Sequence, residues 1–249
     1  VNHGQSRPLP SSVGALIDLS AAGYARRAPL YLFLAAAMVA LCAIVQFAWP
    51  APPQDVTKAI VVQLLDLFTS AFVVSTVALG VGARVAGEER SMRALLGSAI
   101  ERWIGVLGAM VIVQFLVQLT LPGGAIGPVD NPVLAIATAP ITWLFWGAMS
   151  LAGPLAALSP DRPLLAIVTG FGRALLLSLH AANLGRLCLV AFASVVPLLL
   201  ENVLFDILQH HGVANVDFWA AIPIDALSVG PLAALQSVFA LDFARRVTS

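Results

Sequence analysis

Long apolar runs alternate with short polar breaks along almost the whole chain. A helix needs about 20 mostly apolar residues to cross the hydrocarbon core of a bilayer. Six stretches meet that length: 29–49, 57–83, 103–121, 133–158, 184–208 and 219–243. Within each consecutive pair the break is short and rich in Pro, Gly, Asn and Asp: PAPPQDV, PGGAIGPVDN and QHHGVANVD. These residues favour turns and helix ends, so the six runs read as three helical hairpins.

The segments that precede the pairs are longer, and each carries arginine. ALIDLSAAGYARR (15–27), ALLGSAIERW (94–103) and ALLLSLHAANLGR (174–186) open on Ala15, Ala94 and Ala174, at spacings of 79 and 80. Each reads as an amphipathic helix lying in the membrane interface, its apolar side in lipid and its Arg side chains among headgroups. In 91–102, for example, Leu95, Leu96, Ala99 and Ile100 fall close to one face. The pattern predicts an all-α, polytopic transmembrane bundle of six spans in three parallel helix-hairpin repeats. A polar tail over 1–12 precedes repeats at 13–87, 88–159 and 160–249. Residues 164–182 are nearly apolar enough for a seventh span, but Arg173 would then lie near mid-bilayer at about 2.5–3.5 kcal/mol. An amphipathic or re-entrant segment on the cytoplasmic face is the preferred reading.

Composition supports a membrane class. The 249 residues are 59% hydrophobic and 10% charged, against about 25% charged in ordinary soluble domains. Mean hydropathy is +0.92. So few charges leave a soluble surface uncovered, and disordered chains are far more polar. A formal net charge of zero without a basic block argues against a nucleic-acid partner. Cys42 and Cys188 sit in separate apolar runs and suggest neither a disulfide framework nor a zinc site.

Charge position predicts orientation. All twelve Arg flank the same ends of the runs, among them Arg26, Arg27, Arg93, Arg102, Arg173 and Arg186, while Lys58 alone lies at the opposite ends. By the positive-inside rule both termini are expected to be cytoplasmic. The N-terminal stretch does not read as a signal peptide, because polar and charged residues precede a full-length span with no cleavage site after it. The leading Val fits a GTG start.

Carboxylates within spans are costly and usually face protein or water. Asp66, Glu201 and Asp225 are the candidates, and Asp66 and Asp225 both fall 51 positions after the opening Ala of their repeats. The second repeat has Thr142 in Pro140-Ile141-Thr142 where the third has Pro223-Ile224-Asp225. Gln63, Asp66 and Ser70 follow helical spacing, as do Asp225 and Ser228, and Gln114 and Gln118. One reading is a proton or cation site. The other is hydrogen bonding between helices that holds the bundle together, favoured by the lack of a basic residue at that depth. Prolines 140, 197, 223 and 231 are expected to kink or end their spans and open space near the carboxylates. Gly80, Gly82, Gly147 and Gly153 are expected to permit close helix contact. Trp49 and Trp219 read as an outer aromatic belt and Trp103 as an inner one.

Asp206, His210 and His211 are weak metal candidates, since a lone His pair lacks a partner set. No Walker, GxSxG or haem-type motif occurs, so no cofactor is expected.

The stretch GEERSMRALLGSAIERWIGVLGAM (87–110) resembles an element recurring in bacterial six-span proteins of the YciC-like group and in the membrane domain of glycerophosphodiester phosphodiesterases. There a Gly/Ser-bearing cytoplasmic turn leads into an amphipathic helix and then a span. The resemblance implies a membrane architecture and carries no catalytic residues over. The expected function is non-enzymatic: envelope or lipid-related membrane organisation, or a membrane subunit of an assembly. Partners would be the bilayer and other subunits or copies of the chain. The alternative is a small proton- or cation-coupled transporter using Asp66, Asp225 and Glu201, and a distant third is an intramembrane metal-dependent enzyme.

Overall fold

The computed structural model describes residues 9–49, 56–120, 144–178, 180 and 183–248. Among them every regular element is helical: α1 (Val13–Ala25), α2 (Ala28–Ala48), α3 (Val56–Val85), α4 (Met92–Thr120), α5 (Ala152–Leu158), α6 (Pro163–Ser178), α7 (Leu184–His210) and α8 (Val216–Thr248). A further helical stretch over 144–149 leads into α5. Five of them, α2, α3, α4, α7 and α8, are long and apolar enough to cross a membrane. The expected turns at 50–55 and 122–131, the first part of the span expected at 133–158, Thr142, Pro140 and the Gln118 side chain lie outside the described residues.

Helices α3 and α8 form the centre of the bundle. In their most apolar windows 44% and 39% of residues are buried, against 22% in α2, α4 and α7. The main apolar core joins the second half of α3 (Val73, Val77, Val81), residues 148–157, and the last turns of α8 (Phe239, Phe243). The first half of α3 is much barer: Ile60 is 49% and Leu64 58% exposed, whereas Val77 is 0%. The bundle is tight at the end that carries most of the arginines and looser at the other.

Local signals account for the helix ends. Ser12 caps α1 by accepting from the Ala15 amide at 3.3 Å. Arg27, at φ −124°, breaks the chain ahead of Pro29, which occupies the first turn of α2. Gly87 turns the chain at φ +77°, and Ser91 then caps α4 through the Ala94 amide at 3.2 Å.

Several expectations need correction. The interfacial helix expected at 91–102 and the span expected at 103–121 form one uninterrupted helix. No counterpart of Pro29 separates them, so nothing stops the helix. Trp103 therefore lies within α4. Its indole N–H donates to the Phe68 carbonyl at 3.0 Å, and its ring meets Phe68 edge-on at 4.0 Å.

Helix α1 packs its Leu16, Ser20 and Gly23 stripe on α3 and α8 and leaves Val13 and Ile17 exposed. The 144–158 region is interrupted at residues 150–151, because Pro154 has no amide for the Ser150 carbonyl. Helices α7 and α8 run through Pro197, Pro223 and Pro231 without ending. Residues 163–178 form a helix too short to span, packed on α4 and α5.

The arginine-rich ends of the helices contact one another. Arg26 pairs with Glu89, and Arg27 donates to the Arg90 carbonyl. Arg102 donates to the Asp161 carbonyl. Arg186 pairs with buried Asp242 at 3.2 Å and donates to the Ser11 carbonyl at 2.7 Å. The Ser159 hydroxyl, 2.6 Å from the Asp161 carboxylate, holds that carboxyl below its usual range.

Candidate functional site

A cavity of about 620 Å³ opens in the looser half of the bundle, bounded by α3, α4, residues 149–154, α7 and α8. Helical geometry places its polar groups. On α3, Gln63, Asp66 and Ser70 lie one turn apart along the cavity wall. On α8, Asp225 and Ser228 do the same, and α7 contributes Glu201 and α4 Gln114. The three carboxylates identified in the sequence thus come from three different long helices and face one space.

Glu201 and Asp225 lie within hydrogen-bonding reach of each other across the α7–α8 contact. Asp66 stands near both, with the buried Cys42 of α2 beside Asp66 and Asp225. One oxygen each of Asp66 and Glu201 is buried without a hydrogen-bond partner. Buried polar atoms are ordinarily paired by protein or water; Tyr31, Ser75 and Asn183 carry such an atom away from the cavity as well. Ser70 points away instead, its hydroxyl 3.7 Å from the Met38 sulfur, and Ser228 bonds back to the Asp225 carbonyl at 3.2 Å.

Three polar lining residues escaped the sequence reading: Gln236, Ser194 and Ser150. The Gln236 amide, on a residue only 8% exposed, donates to the Ser194 hydroxyl at 3.3 Å. Both were visible as helical repeats of known carboxylates. Gln236 lies eleven residues, about three turns, after Asp225, and Ser194 lies seven residues, about two turns, before Glu201. Pro197, on the same α7 face, lines the cavity and leaves the Ala193 carbonyl without its helical donor.

The rest of the wall is apolar, with Leu64, Leu67, Val113, Leu198, Val229 and Leu232 among its members. No Lys, Arg or His is among the lining residues. Among the described residues no group of three or more His, Cys, Asp or Glu is placed to hold a metal ion. Asp206, His210 and His211 are exposed near the end of α7, away from the cavity, and the two imidazoles lie 5.7 Å apart.

A second cavity of about 530 Å³ lies at the arginine-rich end, between α1, α3 and the 87–90 turn. Of its four arginines, Arg26 and Arg90 are paired with Glu89 and Glu88, and Arg27 donates to the Arg90 carbonyl.

Among the described residues the bundle is all-helical, with five helices long and apolar enough to cross a membrane, the features of a helical membrane protein. The chain matches no protein-family model, no curated protein and no solved structure. The resemblance of residues 87–110 to the six-span group therefore rests on that segment alone.

Proposed function

We propose that this chain is a non-enzymatic, multi-pass protein of a bacterial cytoplasmic membrane that binds a cation in the carboxylate cavity and exchanges it for a proton. One observation carries the reading: Asp66, Glu201 and Asp225 converge from three helices on one cavity. Interhelical glue needs partners, and two of these carboxylates have a buried oxygen with none. Two carboxyls in contact, as Glu201 and Asp225 are, hold a proton between them that an arriving cation displaces. The titratable groups facing this pair are Asp66 from α3 and the Cys42 thiol from α2. A role in envelope organisation or as a passive subunit gives these residues no task.

The proposed topology has six spans in three related units, with both termini cytoplasmic. The arginine distribution and the mutual contacts of the arginine-rich segments support it. Single-cysteine labelling at Gly124 and Arg90 in a cysteine-free background tests it; labelling from the same side of the membrane would overturn it.

Exchange is tested in proteoliposomes that contain a pH-sensitive dye and hold an imposed pH gradient. Sodium, potassium and organic cations are then added outside. At least one should collapse the gradient with the wild type and fail with Glu201→Gln. If none does so above protein-free vesicles, the exchange reading is wrong.

A further inference from the structure

The cavity's size and lining bear on which cation enters. A water molecule takes up about 30 Å³, and a dehydrated alkali ion less. A space of about 620 Å³ lies within the roughly 300–1,000 Å³ of pockets that enclose organic ligands. A metal-ion site contracts its oxygens around the ion. Here no three acidic, His or Cys side chains are placed to do so among the described residues; Glu201 and Asp225 meet, and Asp66 comes from a third helix.

Between the carboxylates the wall is hydrocarbon. Leu64 and Leu67 flank Asp66 on α3, Leu198 precedes Glu201 by three residues, and Val229 and Leu232 follow Asp225. Such a surface solvates a small hydrated ion poorly, because stripping its water is repaid only by close-packed oxygen ligands. It suits a cation whose charge is spread over or shielded by apolar groups. That cation loses little hydration on entry, gains from burying its own apolar surface, and meets opposite charge. Gln63, Gln114 and Gln236 add amide groups for orientation without a competing positive charge.

We infer that the cavity takes a lipophilic organic cation, of the size and character of a quaternary phosphonium or a hydrophobic amine, rather than an inorganic ion. This rests on the cation-binding reading above but is separable from transport.

Binding of radiolabelled tetraphenylphosphonium to the purified full chain in detergent, read by equilibrium dialysis against empty micelles, is the direct test. Saturable binding is expected. Asp66→Asn or Glu201→Gln should weaken it at least tenfold, and a large excess of sodium or potassium should not compete at matched ionic strength. Ser228→Trp changes no charge and should weaken binding comparably by filling the space. Each variant is first checked for a wild-type melting profile; a misfolded one is replaced by Asp225→Asn or Leu198→Trp.

Absence of saturable binding overturns the inference, as does binding indifferent to every folded variant. If sodium or potassium collapses the pH gradient through Glu201 while the phosphonium does not bind, the exchange reading stands and this one fails. If the phosphonium binds through these residues but moves no protons, this inference stands and exchange fails.

Discussion

The seam between α5 and α6 makes a quantitative claim that two neighbouring glycines can test. A Cβ on Gly170 would lie 2.8 Å from the Ala152 carbonyl oxygen and 3.0 Å from both the amide nitrogen and the Cβ of Ala156. These partners are backbone atoms and a methyl carbon, which no rotamer change can move aside. Gly172, two residues along the same helix, has nothing within 4 Å of its Cβ position. Both replacements by alanine bring the same intrinsic helix gain, about 1 kcal/mol. Gly172→Ala should keep that gain. Gly170→Ala must also force the helices apart, an overpacking cost of about 1–3 kcal/mol.

The two variants should therefore differ by about 1–3 kcal/mol, which at roughly 2–4 °C per kcal/mol for a chain of this size separates their apparent Tm by several degrees. Buried Cys42 is a built-in reporter once exposed Cys188 is changed to Ser. A thiol-reactive dye then lights up as the bundle opens. Membrane proteins commonly unfold irreversibly, so both variants are scanned at one rate. Equal Tm values would refute the close approach of α5 and α6 at Gly170.

The same assay checks three further expectations. Arg186 and Asp242 form an ion pair with side chains only 14% and 7% exposed, so Arg186→Met alone should cost about 3–5 kcal/mol by removing this cation from a buried carboxylate. The double variant Arg186→Met/Asp242→Leu should recover much of that loss; equal losses would mean the pair is not coupled. Trp103→Phe removes the donor to the Phe68 carbonyl and should cost about 1 kcal/mol, and an unchanged Tm would mean that bond is not made. Asp66→Asn and Glu201→Gln should leave Tm level or raise it, because neutral isosteres relieve the burial of charge. A loss above about 2 kcal/mol would instead identify these carboxylates as interhelical glue.

Legibility in this chain follows from what a membrane does to a sequence. In a soluble helix the polar face marks water and the apolar face marks protein. In a spanning helix both lipid and protein take apolar side chains, so the apolar positions of α3 do not announce that Val77 is buried and Leu64 exposed. Only residues that interrupt the apolar run report a face. Asp66, Glu201 and Asp225 did so, and helical spacing from them reached Gln63 and would have reached Gln236 and Ser194. The contact between Glu201 and Asp225 was not readable, because it depends on how α7 crosses α8.

The fused α4 shows the converse error. Similarity among the three Ala-Leu segments suggested a common break, yet in the first unit the break comes from Pro29, and the second unit has no proline there to make it. The third segment breaks between Ser178 and Leu184 with no proline at all, so the shared Ala-Leu opening does not itself set where a helix ends. By the same reasoning the cavity does not depend on exact repetition. Asp66 and Asp225 stand at the same offset from Ala15 and Ala174. They meet because α3 and α8 are the two central helices, packed against each other. Equal depth alone would not bring them together; the two helices also turn both carboxylates toward the same cavity.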